Sequence, residues 1–269
     1  MNETTSQDTN VGPPSSGFLT LVLKSFAGLG GGIIGMLVLL VIFLSASTIL
    51  NSGWNSVIVD GTTSDGSGKN PLFIFVFMAM IFISSLVANL LGSLFFSFVQ
   101  SSKYVRRTTS MYQIFFVNLA IFVLLGPLYF LLDSRSAVSM VSFLAGFHVV
   151  LSALASMVIL EIVGNIRYAL VGFYGVIFAT VMSSATVLTI FEFTGHNPTS
   201  VLFATLPLLW TAMGFYTSVT EMFYRWLWSL YGTDFMMSQV ALGSDYGEAA
   251  TEVEDAPPPP DVDGADFLK

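Results

Sequence analysis

Two long apolar runs joined by a short basic segment constrain this chain more than any other feature. The runs cover residues 71–98 and 111–132, and the segment 101–107 between them carries three basic residues. Each run exceeds the roughly 20 apolar residues with which a helix crosses the ~30 Å hydrocarbon core of a bilayer. Lys and Arg favour the cytoplasmic side of a membrane. The pattern therefore predicts a transmembrane hairpin whose connection lies in the cytoplasm.

Four further apolar runs extend this hairpin to an all-α, polytopic membrane protein with six transmembrane helices. The 269 residues are 54% hydrophobic and only 10% charged, a composition too apolar for a soluble domain. The predicted membrane domain covers 17–231, with spans at about 26–50, 71–98, 111–132, 137–163, 168–191 and 201–224. Six spans place both termini on the same side.

The distribution of basic residues predicts that this side is the cytoplasm, in a protein integral to the cell membrane. Lys69 and Arg135 fall in connections predicted to be external. Six basic residues fall on the other side: Lys24, Lys103, Arg106, Arg107, Arg167 and Arg225. The excess agrees with the positive-inside rule.

Glycines in the first span are spaced for close helix packing. Gly28 and Gly32, and likewise Gly31 and Gly35, are four residues apart and lie on adjoining faces of a helix. Small residues at this spacing allow two helix backbones to approach. The pattern allows either a homo-oligomer face or packing against a neighbouring span of the same chain.

Polar residues at equal depth along the spans form a candidate belt at the bilayer midplane around His148. Asn and Ser can supply the donor and the acceptor that a neutral imidazole needs. The belt is interpreted either as a polar pocket or pathway, or as interhelical hydrogen bonds that hold the bundle. Its members are Ser84, Ser85, Asn89, Asn118, His148, Ser152, Ser183, Ser184 and Thr211.

Three acidic residues lie near the ends of spans, and we expect them to reach the membrane interface. They are Glu161, Glu192 and Glu221. Glu221 and Arg225 are four residues apart, a spacing typical of a surface ion pair of small energetic consequence.

The two ends of the chain are polar, and both are expected to be disordered and cytoplasmic. Residues 1–16 are rich in Ser, Thr, Asn and Pro, and the tail 232–269 carries nine acidic residues and one lysine. Such segments bury too little apolar area to offset chain entropy. The tail is either a solvated extension or a docking segment, with candidate contacts at Pro257, Pro258, Pro259, Pro260, Phe267 and Leu268.

The motifs of membrane-embedded enzymes are absent from the sequence, which predicts a non-catalytic protein without cofactor or metal. There is no His-Glu-x-x-His motif, no P-loop and no cysteine, and the chain has only two histidines. The net charge of −8 lies in the acidic tail, which argues against nucleic acid as a partner. Two functions remain: a scaffold or membrane subunit that recruits cytoplasmic proteins through its tail, or a small permease or channel for a neutral or weakly polar solute.

Overall fold

Six helices form the part of the chain that the structure, a computed structural model, describes. The described residues are 17–49, 71–101, 103–104, 107–131, 138–163, 169–193 and 198–231. Within these ranges all regular secondary structure is helical: α1 (Phe18–Ser45), α2 (Pro71–Val99), α3 (Arg107–Leu131), α4 (Val138–Val158, continued by a π-helical segment Ile159–Val163), α5 (Ala169–Phe193) and α6 (Pro198–Tyr231). The two predicted polar ends lie outside the described residues.

The chain divides into two compact units, residues 1–224 and 225–269. The second unit is described only over 225–231, where α6 ends. The helix packing and the candidate site below all belong to the first unit.

The first helix begins earlier than the sequence predicts. We expected a span from about residue 26, after a short apolar segment that carries Lys24. The structure begins α1 at Phe18 and buries Lys24 completely. The helix includes Lys24 because its ammonium group has two carboxylate partners from distant parts of the chain.

Consecutive helices run in opposite directions. Gly31 of α1 lies against Gly92 of α2, whereas Gly35, one turn further along α1, lies against the earlier residue Ala88. Paired contacts give the same result for α2 with α3 (Phe82–Phe122, Asn89–Asn118), α3 with α4 (Asn118–Ser156, Tyr129–His148) and α5 with α6 (Gly175–Thr220, Phe178–Tyr216). The first helix also runs antiparallel to the last, as the packing of its glycines shows.

Two rows of glycines let α1 approach both α2 and α6. A Cβ atom on Gly28 would lie 2.1 Å from the carbonyl oxygen of Trp210, and one on Gly32 would lie 2.4 Å from Cα of Pro207. On the adjoining face, a Cβ on Gly31 would lie 2.5 Å from the backbone nitrogen of Gly92. Gly35 makes a similar approach to Ala88. All four glycines are therefore packed against other helices of the same chain.

Five of the described helices are long and apolar enough to cross a membrane. They cover Phe18–Ser45, Leu72–Val99, Arg107–Leu131, Phe143–Val163 and Ala169–Phe193. Large apolar side chains such as Phe26, Val41, Phe116 and Leu124 are exposed on their outer faces. Exposed apolar surface on this scale marks a surface that another apolar phase covers. The helices thus indicate a membrane protein.

Candidate functional site

Four ionisable side chains from four separate elements meet at one end of the bundle. They are Lys24 of α1, Lys103 of the α2–α3 connection, Glu161 of the π-helical segment and Glu221 of α6. Their exposed fractions are 0%, 7%, 2% and 2%. We refer to these four residues as the ion cluster.

Each lysine of the ion cluster bridges both glutamates. The Nζ atom of Lys24 lies 3.3 Å from Oε1 of Glu161 and 3.1 Å from Oε1 of Glu221. Nζ of Lys103 lies 2.6 Å from the same Glu221 oxygen and also pairs with Oε2 of Glu161. Two positive and two negative charges therefore compensate one another where water is excluded, which is the condition under which buried charges are tolerated.

Two neutral donors and two aromatic rings complete the surroundings of the ion cluster. Gln100 donates from Nε2 to Oε2 of Glu221 at 2.8 Å, and the Tyr104 hydroxyl donates to Oε1 of Glu161. The Lys24 ammonium lies 5.6 Å from the ring centroids of both Phe96 and Tyr104. Such distances permit cation–π attraction, which is strongest for desolvated cations.

The two residues of the α2–α3 connection have shifted ionisation. Burial by itself lowers the pKa of Lys103, but the charges of Glu161 and Glu221 outweigh it and raise that pKa above its usual value. Burial, followed by the charge of Glu161, raises the pKa of Tyr104 well above its usual value. Lys103 therefore stays charged and Tyr104 stays a neutral donor throughout the physiological range.

A small cavity adjoins the ion cluster. Its volume of about 10 Å³ corresponds to roughly one water molecule. Lys103, Glu161 and Glu221 line it on the charged side. The remaining lining residues come from α5 and α6: Val171, Gly172, Gly175 and Thr217. Lys103 and both glutamates of the ion cluster therefore border the same water-sized space.

Glu161 and Glu221 lie inside the bundle and not on its surface. Both side chains are buried, and Glu221 contacts Lys24, Lys103 and Gln100 rather than lying at the surface. The sequence signal for this pairing was the presence of opposite charges at equal depth on antiparallel spans. Lys24 lies at the depth of Glu161 and Glu221 when equal depths are counted along antiparallel spans.

The structure brings part of the predicted midplane belt together as hydrogen bonds between helices. Ser85 of α2 contacts Ser152 of α4, Oγ to Oγ, at 2.5 Å. Asn89 donates to Asn118 of α3 at 2.7 Å, and Asn118 donates to Ser156 of α4 at 2.9 Å. The indole nitrogen of Trp210 donates to Oδ1 of Asn89 at 3.1 Å. Ser156 and Trp210 are members that the sequence analysis missed.

Other members of the belt do not join this network. Ser84 and Thr211 donate to backbone oxygens of their own helices, those of Met80 and Pro207. Ser183 is buried and has no hydrogen-bond partner among the described residues, while Ser184 is half-buried on the same helix.

His148 pairs with a residue that the sequence analysis did not select. Its Nδ1 lies 3.1 Å from the hydroxyl oxygen of Tyr129, and its ring centroid lies 6.5 Å from that of Phe82. The other ring nitrogen, Nε2, is buried without a hydrogen-bond partner in the described part of the chain.

The predicted topology-setting residues have different surroundings. Lys103 belongs to the buried ion cluster, Arg107 lies 5.1 Å from the ring centroid of Phe98, and Arg225 is exposed. Arg106, Arg167 and the candidate docking residues 257–260, 267 and 268 lie outside the described residues.

Comparisons with protein-family models, with curated proteins and with solved structures found no match. The functions considered below therefore rest on this chain's own residues.

Proposed function

We propose that the protein is a non-catalytic scaffold or membrane subunit, built from six spans, that presents its acidic tail to cytoplasmic proteins. The observation that carries this proposal is that many buried polar side chains pair with one another between helices. The serine and asparagine side chains of α2, α3 and α4 bond to one another, and the ion cluster is internally neutral. These interactions hold helices together, and the proposal assigns recruitment to the acidic tail instead.

The sixth span is supported by the packing of α6. This helix has 34 residues, more than the roughly 20 that cross a bilayer. Its Trp210 and Pro207 pack against successive glycines of α1, antiparallel to a helix that is itself long and apolar enough to span. A helix packed against α1 in this way is expected to lie at the same membrane depth.

The cytoplasmic orientation is supported by charge. Six basic residues fall on the proposed inner side and two on the outer side. Lys24 and Lys103 are internally paired, yet four basic residues remain inside: Arg106, Arg107, Arg167 and Arg225. The excess of basic residues on the inner side, which the positive-inside rule requires, therefore remains when Lys24 and Lys103 are left out of the count.

Affinity purification in mild detergent tests the recruitment role. The full chain is compared with a chain that ends at Gly232, and a full-length Phe267→Ala/Leu268→Ala variant serves as the matched control for the terminal motif. We expect specific proteins to co-purify with the full chain and to be lost on truncation. Identical, partner-free preparations from both chains would contradict the proposal.

One observation favours a second candidate, a small permease or channel for a neutral or weakly polar solute. The Nε2 atom of His148 is buried and unpartnered among the described residues, so it can offer a hydrogen bond to a passing solute. Uptake into proteoliposomes tests this candidate. If it holds, His148→Leu abolishes uptake at normal folded yield, whereas Tyr129→Phe, which removes only the partner of Nδ1, preserves part of it. If the unsubstituted chain shows no uptake and His148→Leu only lowers the folded yield, His148 has a packing role instead.

A further inference from the structure

Three hydrogen-bond donors from one short segment cover both buried carboxylates. Gln100 donates to Glu221, Tyr104 donates to Glu161, and Lys103 pairs with both. The backbone amides of Lys103 and Tyr104 both donate to the carbonyl oxygen of Gln100, at 3.0 and 3.2 Å. This tight turn directs the three side chains to the same place. We refer to Gln100, Lys103 and Tyr104 as the strap.

We propose that the strap is a movable closure over a cation site formed by Glu161 and Glu221, and that the Lys103 ammonium is the site's tethered occupant. The proposal rests on the ion cluster and does not depend on the scaffold role. When the strap lifts, two carboxylates remain opposite one ammonium group, Lys24. The opened site carries a net negative charge and therefore takes a small cation rather than an anion.

The two lysines of the ion cluster are held very differently, which is why the strap moves and Lys24 does not. The backbone of Lys24 is packed so closely on α6 that a Cβ atom on Gly214 would lie 2.5 Å from its carbonyl oxygen. Lys24 can withdraw only if α1 separates from α6. Lys103 and Tyr104 belong to no helix, so a local backbone change is enough to withdraw them.

Two further features of the site suit a closure that can open. Glu161 lies in a π-helical segment, a local departure from α-helix that occurs frequently at functional sites. The water-sized cavity is lined by Lys103 and by both glutamates. Burying four charges gains little stability over apolar packing, so helix packing alone does not account for the arrangement.

Cysteine accessibility tests the opening, since the chain contains no cysteine of its own. Gly175→Cys places a thiol in the cavity, where its Cβ atom would make an ordinary contact of 3.6 Å with Thr220. The thiol is reacted with a small water-soluble reagent in the purified, detergent-solubilised full chain. We expect slow but measurable labelling in the native background and labelling at least tenfold faster with Lys103→Met.

Three controls separate strap opening from general loosening. Gly126→Cys, on α3, reports global unfolding, because Gly126 is buried outside the ion cluster and a Cβ atom there would fit at 3.9 Å from the sulfur of Met78. Lys24→Met removes the same charge from α1 and should not reproduce the acceleration. Tyr104→Phe removes one strap hydrogen bond and is the substitute if Lys103→Met fails to fold. No labelling of the native background over hours, no acceleration by either strap variant, or equal acceleration at position 126 would overturn the proposal.

Competition by cations tests the ligand class. In the Lys103→Met background, methylammonium chloride should slow the labelling of Gly175→Cys, because an ammonium group replaces the lost one. Tetramethylammonium chloride at the same concentration should not, because this cation has no N–H group to donate to the carboxylates and exceeds the water-sized cavity together with the space that the Lys103 ammonium leaves. An equal effect of the two salts, or none from either, would overturn the assignment of a cation site.

Discussion

At the scale of single residues, the ion cluster shows how the surroundings of a charge decide its role. Lys24 is fully buried seven residues into an apolar helix, a position that is costly for an unpaired cation. Glu161 and Glu221 make it tolerable, and Lys103 restores neutrality. No member of the cluster can be changed without leaving an uncompensated charge on the others.

Removing one charge should therefore be worse than removing an opposite pair. Lys24→Met is expected to lower the free energy of unfolding by about 3–5 kcal/mol, the usual cost of breaking a buried ion pair. The double variant Lys24→Met/Glu161→Gln keeps the Lys103–Glu221 pair and is expected to be more stable than the sum of its single variants by about 0.5–3 kcal/mol. Thermal unfolding in one detergent measures both quantities. Strict additivity would contradict the coupling.

At the scale of helices, the position of α1 depends on the absence of side chains at its glycines. Two rows of glycines face α2 and α6, and each row removes the side chain from a place where another backbone lies. Apolar helices gain no hydrophobic energy from leaving lipid for one another, so close backbone packing has to supply the attraction. The fit of α1 also sets the depth at which Lys24 meets its carboxylate partners.

Two glycines of α1 provide a matched test of this packing. Gly28→Ala should destabilise the protein by about 1–3 kcal/mol, because its Cβ atom would lie 2.1 Å from the carbonyl oxygen of Trp210. Gly30→Ala should be neutral or slightly stabilising, since its Cβ atom would contact Phe95 at 3.5 Å and Ala favours helix. Unfolding midpoints in detergent compare the two variants. Equal destabilisation of the two variants would show that the close contact of Gly28 does not control the result.

At the scale of the whole molecule, alternating helix directions and the ion cluster define one end of the bundle. The starts of α1, α3 and α5, the ends of α2 and α4, and the turn of α6 that carries Glu221 lie there. In the proposed orientation this end faces the cytoplasm, and the proposed strap lies on that side of the membrane.

Impermeant thiol labelling of intact cells tests this orientation. Ser64→Cys lies in the long connection proposed to be external and should react, whereas Ser102→Cys should react only after the membrane is permeabilised. Because the chain has no native cysteine, the signal belongs to the introduced residue alone. The reverse pattern would invert the topology, and labelling of both positions in intact cells would contradict a single orientation.

The sequence by itself determined the class of the molecule. Runs such as 71–98 and 111–132 are long and apolar, and a chain of that kind satisfies its backbone hydrogen bonds in a bilayer by forming helices. The spacing of the α1 glycines, and the few serine and asparagine residues in α2 and α3, also predicted which residues would lie between helices. These properties are local, because they depend on a residue's own neighbours along the chain.

Only the tertiary structure decided which partners those residues have. Lys24 and Glu221 are separated by 197 positions, and Glu161 and Lys103 by 58. No local pattern links them, so each one read alone resembles an interfacial charge. Helix packing brings them to one depth and one place. Exclusion of water there then makes pairing necessary, and a set of apparent surface charges becomes the buried centre at one end of the bundle.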